Sequence, residues 1–410
     1  MNAPYQGWVE VDLDALDHNI ARLTAMADGA ALGAVVKANA YGHGALAIAE
    51  ASMRAGAERV CTYNLDEASE LRTLGFRGPI LVLGRIFPDD AARAVQLRVA
   101  VTVSESETAA ALGREALAHR ARANVHVKIE AGLNRLGLPP DAALPFIDHV
   151  RAMEGLTLEG VYTHFPSADG PIDDGSGRSD TEQRFERFVA IADRANVPLR
   201  HAANTATLLR YPRMALDLVR VGVGLYGISP GASDDDPFSA GALDLRPVLA
   251  WKAMLVDVHD VPRGESVSYG ATWTAEEDSR IGVVAVGYAD GYRRALSNKG
   301  SMLAQGSRVP VVGTVCMDMC MVNLSGVPAA AVGDEVTLIG AQGSEGISLE
   351  EVAQQCDTIP HEISTGIGDR PARVYQRAGA PVAVQTKVDR APIATSAATA
   401  RDAVAAAGGR

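Results

Sequence analysis

The stretch AVVKANAYGHG, residues 34–44, places a lysine directly after a short run of β-forming residues. A lysine in this position has two interpretations. The long aliphatic stem of Lys37 allows a strand to leave a buried core for water. Alternatively, its amine is a nucleophile at the end of a barrel strand. Tyr41 and two glycines follow closely, and the surrounding sequence has to decide between the two roles.

Short β-type runs alternate with helical patterns on both sides of this stretch. Leu16, Ile20 and Leu23, for example, recur at helical spacing. Repeated strand–helix units predict a parallel sheet, and eight of them predict a closed (β/α)8 TIM-type barrel over residues 1–243. An open doubly wound sheet is the alternative, but no GxGxxG motif opens the first helix. The eight runs are residues 33–36, 59–63, 79–84, 98–103, 124–129, 158–164, 198–203 and 218–224.

The sequence pattern changes after residue 243, where short β-type runs are separated by Gly, Pro, Asp and Asn. This pattern predicts a mostly β C-terminal domain over residues 244–378. One segment, 348–356, is helical in pattern, with Ser348 and Glu351 forming a capping box. Residues 379–410 are rich in Ala, Thr and Arg and lack aromatic residues, so we expect a disordered tail there.

The composition narrows the class of protein. The chain has 410 residues and a net charge of −12 without basic runs, which argues against nucleic acid as a partner. It has no signal peptide and no run of about 18 apolar residues, so we expect a cytoplasmic protein without a membrane span. The four scattered cysteines predict free thiols, and no metal site is expected. They are Cys61, Cys316, Cys320 and Cys356.

Polar residues stand at the ends of several predicted barrel strands, where barrel enzymes place their active sites. Singly, each has a structural explanation, since a buried histidine is often a satisfied core residue. That explanation is weaker for Arg220, because an unpaired buried guanidinium is costly. Together they favour a functional pocket. The residues are Lys37, Lys128, Arg135, His164, Asn204, Thr205 and Arg220.

The loops after strands seven and eight of such barrels commonly bind phosphate. Here they supply the Thr205 hydroxyl and the backbone amides of Gly222 and Val223. Tight barrel packing is the alternative explanation for Gly222. A lysine nucleophile and a phosphate site in one barrel suggest pyridoxal 5'-phosphate (PLP), bound covalently to Lys37.

Residues 5–376 resemble the bacterial alanine racemases, a PLP-dependent family. The resemblance rests on eight motifs in the order of the family: AVVKANAYGHG, KIEAGLNRLG, YTHFPSAD, HAANTATLL, RVGVGLYG, SVSYG, GYADGY and GTVCMDM. It implies a barrel followed by a β domain, and a head-to-tail homodimer with shared active sites. The implied activity is racemisation of L- and D-alanine, which supplies D-alanine for cell-wall peptidoglycan.

The resemblance assigns two bases. Lys37 would bind PLP and take the α-proton of D-alanine, and Tyr269 of the partner subunit would take that of L-alanine. A free tyrosine has a pKa of about 10, and the resemblance places a hydrogen-bonded chain of His164 and Arg220 behind it. Arg220 would face the pyridine nitrogen of PLP and leave it unprotonated, because arginine keeps its proton. The weaker electron sink would limit side reactions.

The resemblance also assigns the binding residues. Arg135 would lie near the phenolic oxygen of PLP and the substrate carboxylate. Lys128 matches a position that is often carbamylated in the family. The backbone amide of Met317 from the partner chain would bind the carboxylate, and Tyr288 would line the entrance. The phosphate and ring of PLP would contact Tyr41, Asn204, Thr205, Gly222 and Val223.

Two departures from the family pattern leave alternatives open. Glu130-Ala131-Gly132 replaces the usual Asp-Thr-Gly, and Asp369, or Gly368 in a shifted register, occupies the place of a tyrosine that narrows the pocket. A wider pocket would suit a racemase of serine or larger amino acids. A non-catalytic PLP-homeostasis protein is another alternative, but those proteins lack the β domain. Decarboxylases of this barrel class typically place an acid at the pyridine nitrogen.

Overall fold

The computed structural model describes residues 5–168, 179–230 and 243–389, and the backbone of 393–394. Eight parallel strands form the predicted barrel, in the order β8-β7-β6-β5-β4-β3-β2-β9. The two ends of this order are joined by backbone hydrogen bonds from Asp217 to Arg200 (3.1 Å) and from Arg220 to Ala203 (2.9 Å). The strands are β2 Ala31–Val35, β3 Arg59–Thr62, β4 Ile80–Arg85, β5 Ala100–Val103, β6 Ala123–Lys128, β7 Leu156–Tyr162, β8 Leu199–His201 and β9 Leu218–Val221.

Helices alternate with these strands as predicted. Leu16, Ile20 and Leu23 lie buried on one face of the first helix, which explains their spacing. The α-helices are Leu13–Met26, Ala45–Arg54, Leu65–Thr73, Ala91–Leu97, Ser106–Ala118, Pro140–Ala152, Asp180–Ala195 and Thr205–Arg210. Short 3₁₀ turns cover Pro88–Asp90, Pro212–Met214 and Val223–Tyr226.

The second sheet is mostly antiparallel and has the order β18-β17-β14-β15-β16-β13-β10-β1-β19-β20-β21. Its longest strand, β10, alternates buried and less buried residues at its start, as a sheet with one face on a core requires. The strands are β1 Gly7–Asp12, β10 Leu249–Val261, β13 Ser279–Val284, β14 Ser301–Ala304, β15 Ser307–Val312, β16 Cys320–Asn323, β17 Glu335–Gln342, β18 Glu345–Ile347, β19 Ala372–Arg377, β20 Ala380–Gln385 and β21 Ile393–Ala394; β11 Ser266–Val267 and β12 Trp273–Thr274 pair separately.

The chain forms two compact units whose boundaries differ from the prediction. The barrel unit comprises the described parts of 17–40 and 48–245, and the β unit comprises the described parts of 1–16, 41–47 and 246–410. The barrel unit therefore lacks residues 1–16, which the predicted barrel domain, 1–243, includes. The physical reason is that β1 pairs antiparallel with β10 and parallel with β19. Its partner strands are distant in sequence, so the local sequence pattern around β1 does not show with which strands it pairs.

The predicted disordered tail also begins too early. Residues 380–385 form β20, which pairs antiparallel with β19 and buries Val384. The segment Ala380–Gln385 is itself mostly apolar, with Val382 and Val384, so the composition of the whole tail concealed a short strand at its start. The remainder of the predicted tail, apart from 386–389 and 393–394, lies outside the described residues.

The helical prediction near residue 350 is confirmed. A helix covers Leu349–Gln355, and the Ser348 side chain accepts a hydrogen bond from the Glu351 amide at 3.0 Å. The sequence did not predict the neighbouring helix Pro360–Thr365, nor the 3₁₀ turns Tyr269–Ala271 and Arg294–Leu296. The four cysteines are free thiols. Across the described ranges, every helix is too short or too polar to cross a membrane.

The packing of β20 yields a test of the corrected boundary. Val384 is 7% exposed and packs with Trp8 and Ala372, whereas Val388 is 88% exposed. Val384→Ala should lower the free energy of unfolding by about 2 kcal/mol, since it removes two buried methyl groups. Val388→Ala should change it by less than about 0.5 kcal/mol. Urea unfolding of both variants measures the two changes in the free energy of unfolding. Equal changes would support the prediction that the disordered tail begins at residue 379.

Candidate active site in the barrel

Lys37 lies just beyond the end of β2, at the start of an unusual turn. Ala38, Asn39, Ala40 and Tyr41 all have left-handed backbone conformations, with φ between 51° and 54°. Such residues cost roughly 1–2 kcal/mol each, so the turn persists only because its surroundings hold it. Strained backbone of this kind is concentrated at functional sites.

A carboxylate that the sequence analysis missed helps to hold this turn. Glu67 accepts hydrogen bonds from the Ala38 amide at 2.7 Å and from the Tyr63 amide at 2.6 Å. One side chain thus joins the loops after β2 and β3. The signal in the sequence is weak, because Glu67 lies in the first turn of a helix, where acidic residues are common for other reasons.

The barrel rim around Lys37 is strongly cationic. Burial and the nearby Arg135 lower the pKa of the Lys37 amine, although Glu67 opposes this. Burial, Arg135 and Arg220 lower the pKa of the Lys128 amine to about 8, against the opposing charge of Glu130. The structure therefore brings together the predicted residues Lys37, Lys128, Arg135 and Arg220. Such a cluster favours an anionic ligand, and the two amines retain nucleophilic character.

Arg220 is buried and uses main-chain oxygens as acceptors. Its Nη2 donates to Thr163 O at 2.7 Å and Ala202 O at 3.4 Å, and its Nη1 donates to His201 O at 3.1 Å. Nη1 also donates to the ring nitrogen Nδ1 of His201 at 3.0 Å. The Nε–H group of Arg220 has no acceptor among the described residues, so it is available to a ligand.

The expected hydrogen-bonded chain of His164 and Arg220 is not present among the described residues. Arg220 instead contacts His201, which the sequence analysis did not select. His164 remains close enough to feel Arg220, since burial and the positive charges of Arg220, Arg135, Lys128 and Lys37 lower its pKa to about 3. A histidine among so many cations stays neutral.

Tyr162 is a third residue that the sequence analysis missed, after Glu67 and His201. Its ring stacks on His201 with centroids 4.7 Å apart, and the Arg220 guanidinium carbon lies 5.0 Å from its centroid. Its hydroxyl group pairs with Thr102 Oγ1 at 2.8 Å and donates to Leu83 O at 3.0 Å. Burial raises the pKa of Tyr162 to about 12, so the phenol is a fixed neutral platform beneath Arg220.

The predicted phosphate residues meet at the starts of two short helices. Asn204 caps the helix Thr205–Arg210 by accepting from the Thr207 amide at 2.9 Å. The Thr205 hydroxyl oxygen accepts from the Gly222 amide at 3.0 Å, which leaves its proton free for another acceptor. The Val223 amide has no acceptor among the described residues. Amides without an acceptor at helix starts attract anions.

The other predicted site residues form a second group in the β unit. Tyr269 is 75% exposed and Met317 is 53% exposed, and Tyr288 is also exposed. Hydrogen bonds join their loops: the Thr314 side-chain Oγ1 donates to Tyr269 O at 2.9 Å, and the Tyr288 amide donates to Cys316 O at 3.0 Å. Large side chains displayed together in this way are typical of contact surfaces.

Two further predicted positions lie in the β unit. Asp369 is exposed. The ring of Tyr41 lies 6.1 Å from that of His361, centroid to centroid.

The Glu130-Ala131-Gly132 stretch lies in the barrel unit. It is held by Arg184, whose Nη1 donates to Ala131 O at 2.8 Å.

These features define a (β/α)8-barrel protein with a lysine in an anion-attracting rim, followed by a mostly β unit. Residues 11–230 match the family model described as "Alanine racemase, N-terminal domain", and residues 248–375 match "Alanine racemase, C-terminal domain". The chain is 40% identical to the alanine racemase of Desulforamulus reducens and 36% identical to that of Halothermothrix orenii, each over 375 residues. These alignments cover 90% of this chain and 98% and 96% of the relatives.

Solved structures agree. The biosynthetic alanine racemase from Pseudomonas aeruginosa superimposes with a TM-score of 0.80 at 36% identity, covering 91% of this chain and all of that one (100%). The alanine racemase of Clostridium difficile 630 gives a TM-score of 0.86 at 30% identity, covering 93% of this chain and 98% of that one. The chain belongs to the alanine racemase family and is an isomerase.

The role of Tyr162 as a platform can be measured. Tyr162→Phe removes a buried hydroxyl with two partners and should lower the free energy of unfolding by about 1–2 kcal/mol. Tyr63, which is 53% exposed, provides the control, since Tyr63→Phe should change it by less than about 0.5 kcal/mol. Urea denaturation of the two variants compares them, and equal stability would show that the Tyr162 hydroxyl does not anchor the rim.

Proposed function

We propose that this chain interconverts L- and D-alanine, with PLP bound at Lys37. The observation that carries the proposal is the cationic rim around Lys37, in a barrel of this family. When bound, PLP withdraws electron density and acidifies the Cα–H bond of the attached amino acid. The D-alanine that the reaction forms would supply cell-wall synthesis, because peptidoglycan contains D-alanine. We place the activity in the cytoplasm.

The residues present suit PLP at both of its ends. The Thr205 hydroxyl and the Val223 amide are donors for the phosphate, and the Gly222 amide supports Thr205. Asn204 fixes the helix start from which Thr205 projects. Tyr41, from the turn after Lys37, is a further phosphate ligand in this proposal.

At the other end, the free Nε–H of Arg220 suits the pyridine nitrogen. An arginine in this position donates a hydrogen bond without giving up its proton. The ring nitrogen therefore stays unprotonated, and the electron-withdrawing effect is moderated. The main-chain oxygens and His201 that bind both Nη groups keep Arg220 in this orientation.

Inversion at a carbon atom requires proton acceptors on two opposite faces. The amine of Lys37 serves one face, and its lowered pKa favours the neutral form that accepts a proton. Tyr269 of the partner subunit serves the other. The exposure of Tyr269 together with Met317 supports an arrangement in which a homodimer covers them.

The remaining residues bind or orient the substrate. In this proposal, Arg135 and the backbone amide of the partner subunit's Met317 bind the carboxylate, and Tyr288 lines the entrance. Lys128 reacts with carbon dioxide to form a carbamate that orients Arg135. Its pKa of about 8 supports this, because only the neutral amine is carbamylated. His164, neutral at physiological pH, lines the rim beside Arg220.

The Lys37 assignment is tested by Lys37→Ala, with Lys299→Ala at an exposed lysine as the control. After addition of PLP, the Lys299→Ala protein should show the visible absorbance of lysine-bound cofactor and racemise alanine. Lys37→Ala should lose the absorbance, and its rate should fall by at least about 10²-fold, since the covalent link and one base are removed together. Spectra and optical rotation measure both effects. Retained absorbance in Lys37→Ala would refute the assignment.

The second base is tested separately. Tyr269→Phe should reduce racemisation by roughly 10²–10⁴-fold, the usual contribution of a positioned general base. It should retain the cofactor absorbance, since Tyr269 does not hold the cofactor in this proposal. Tyr63→Phe is the control and should retain full activity. Full activity of Tyr269→Phe would contradict the two-base scheme.

A further inference from the structure

A line of hydrogen bonds runs through the barrel interior from Glu159 to Arg220. Glu159 Oε2 lies 3.0 Å from His126 Nε2, and His126 Nδ1 lies 2.9 Å from His201 Nε2. His201 Nδ1 in turn lies 3.0 Å from Arg220 Nη1. His126 and His201 are fully buried, so water does not compete for these contacts. The line connects a carboxylate in the middle of β7 to the guanidinium at the rim.

The donor at each step is fixed by the Arg220 end. A guanidinium nitrogen can only donate, so His201 Nδ1 must accept. The proton of His201 is then on Nε2 and is donated to His126 Nδ1, which leaves the proton of His126 on Nε2, facing Glu159. The opposite order would set His201 Nδ1–H against an Arg220 N–H at 3.0 Å, which is repulsive. The proposed order sets His126 Nε2–H beside Arg59 Nη1, but these two nitrogens are 3.4 Å apart, so this repulsion is the weaker of the two.

Both imidazoles are neutral, as this order requires. Burial lowers the pKa of His126 and lowers that of His201 further, with Arg220 adding to the effect on both. Burial raises the pKa of Glu159, but hydrogen bonds from His126 and Arg59 lower it to about 2. The line therefore ends in a carboxylate at neutral pH.

The positive charges of Arg59 and Arg220 are balanced by carboxylates only when Glu159 is counted together with Glu58. Arg59 binds two carboxylates, with Nη2 2.8 Å from Glu58 Oε1 and 3.0 Å from Glu159 Oε1. Arg220 contacts no carboxylate among the described residues. Two guanidinium groups thus face two carboxylates, and the polarised imidazoles connect Glu159 to Arg220.

We propose that Glu159 is a positioning residue, which acts through His126 and His201 to hold Arg220 with its Nε–H directed at the bound ligand. The function of that orientation rests on the proposed binding of PLP. Loss of the Glu159 charge should leave the fold intact, weaken the hold on His201 and allow Arg220 to change its orientation. Networks of this kind act as a unit rather than as separate pairs.

The order of donors can be measured without activity. Nitrogen-15 NMR of histidine-labelled purified protein distinguishes the two neutral tautomers, and spectra of His126 and His201 variants assign the signals. Both imidazoles should carry the proton on Nε2. A proton on Nδ1 of His201 would overturn the proposal, whether or not the protein racemises alanine.

The role of the carboxylate is tested by Glu159→Gln against Glu58→Gln. Both changes remove a carboxylate from Arg59, but only Glu159 receives a hydrogen bond from His126. Glu159→Gln should lower kcat roughly tenfold with little change in KM, within the range of coupled networks. It should also shift the visible band of bound PLP, whereas Glu58→Gln should change neither. Equal effects of the two variants would show a merely structural role and overturn the proposal.

A double variant separates the line from a direct effect. In a His126→Leu background the connection is already broken, so adding Glu159→Gln should change kcat by less than about twofold. A further tenfold loss would overturn the proposal. If His126→Leu does not fold, the comparison of Glu159→Gln with Glu58→Gln and the tautomer measurement decide the question.

Discussion

The buried guanidinium group of Arg220 is the constraint on which the barrel rim depends. A buried charge without partners is strongly destabilising, and here the partners are carbonyl oxygens of Thr163, His201 and Ala202, together with the His201 ring. These acceptors lie at the ends of β7 and β8, beside the hydrogen bonds that join β8 to β9. The requirement to satisfy one cation therefore fixes how the last strands of the barrel meet.

The same cation sets the electrostatics of the site. Burial and then the charges of Arg220 and Arg135 keep His164 neutral and lower the pKa of Lys128, and burial and Arg135 lower the pKa of Lys37. The rim thus has an excess of positive charge near two amines that readily lose their protons. An anionic ligand with an aldehyde group suits both properties, since the anion offsets the charge and the aldehyde reacts with an amine.

Much of the fold could be predicted from sequence, because each barrel strand is a short apolar run bounded by helical patterns. Lys37, Arg220 and Thr205 were predicted because strand ends mark active sites in such barrels. Glu159, His126 and His201 were missed, since strand residues face the interior or the exterior according to a register that the sequence does not show. The placement of β1 was missed for a similar reason, because its partners β10 and β19 are distant in sequence.

The pairing of β1 with β19 has a consequence for biosynthesis. Trp8 lies opposite Ala372 in a parallel ladder, so β1 must wait for a partner strand that is translated much later. The barrel strands, by contrast, are all available once residue 221 has been translated. Domains tend to fold as units during translation, so the barrel can form while β1 has an unpaired edge. Such an edge is a target for chaperones and for aggregation.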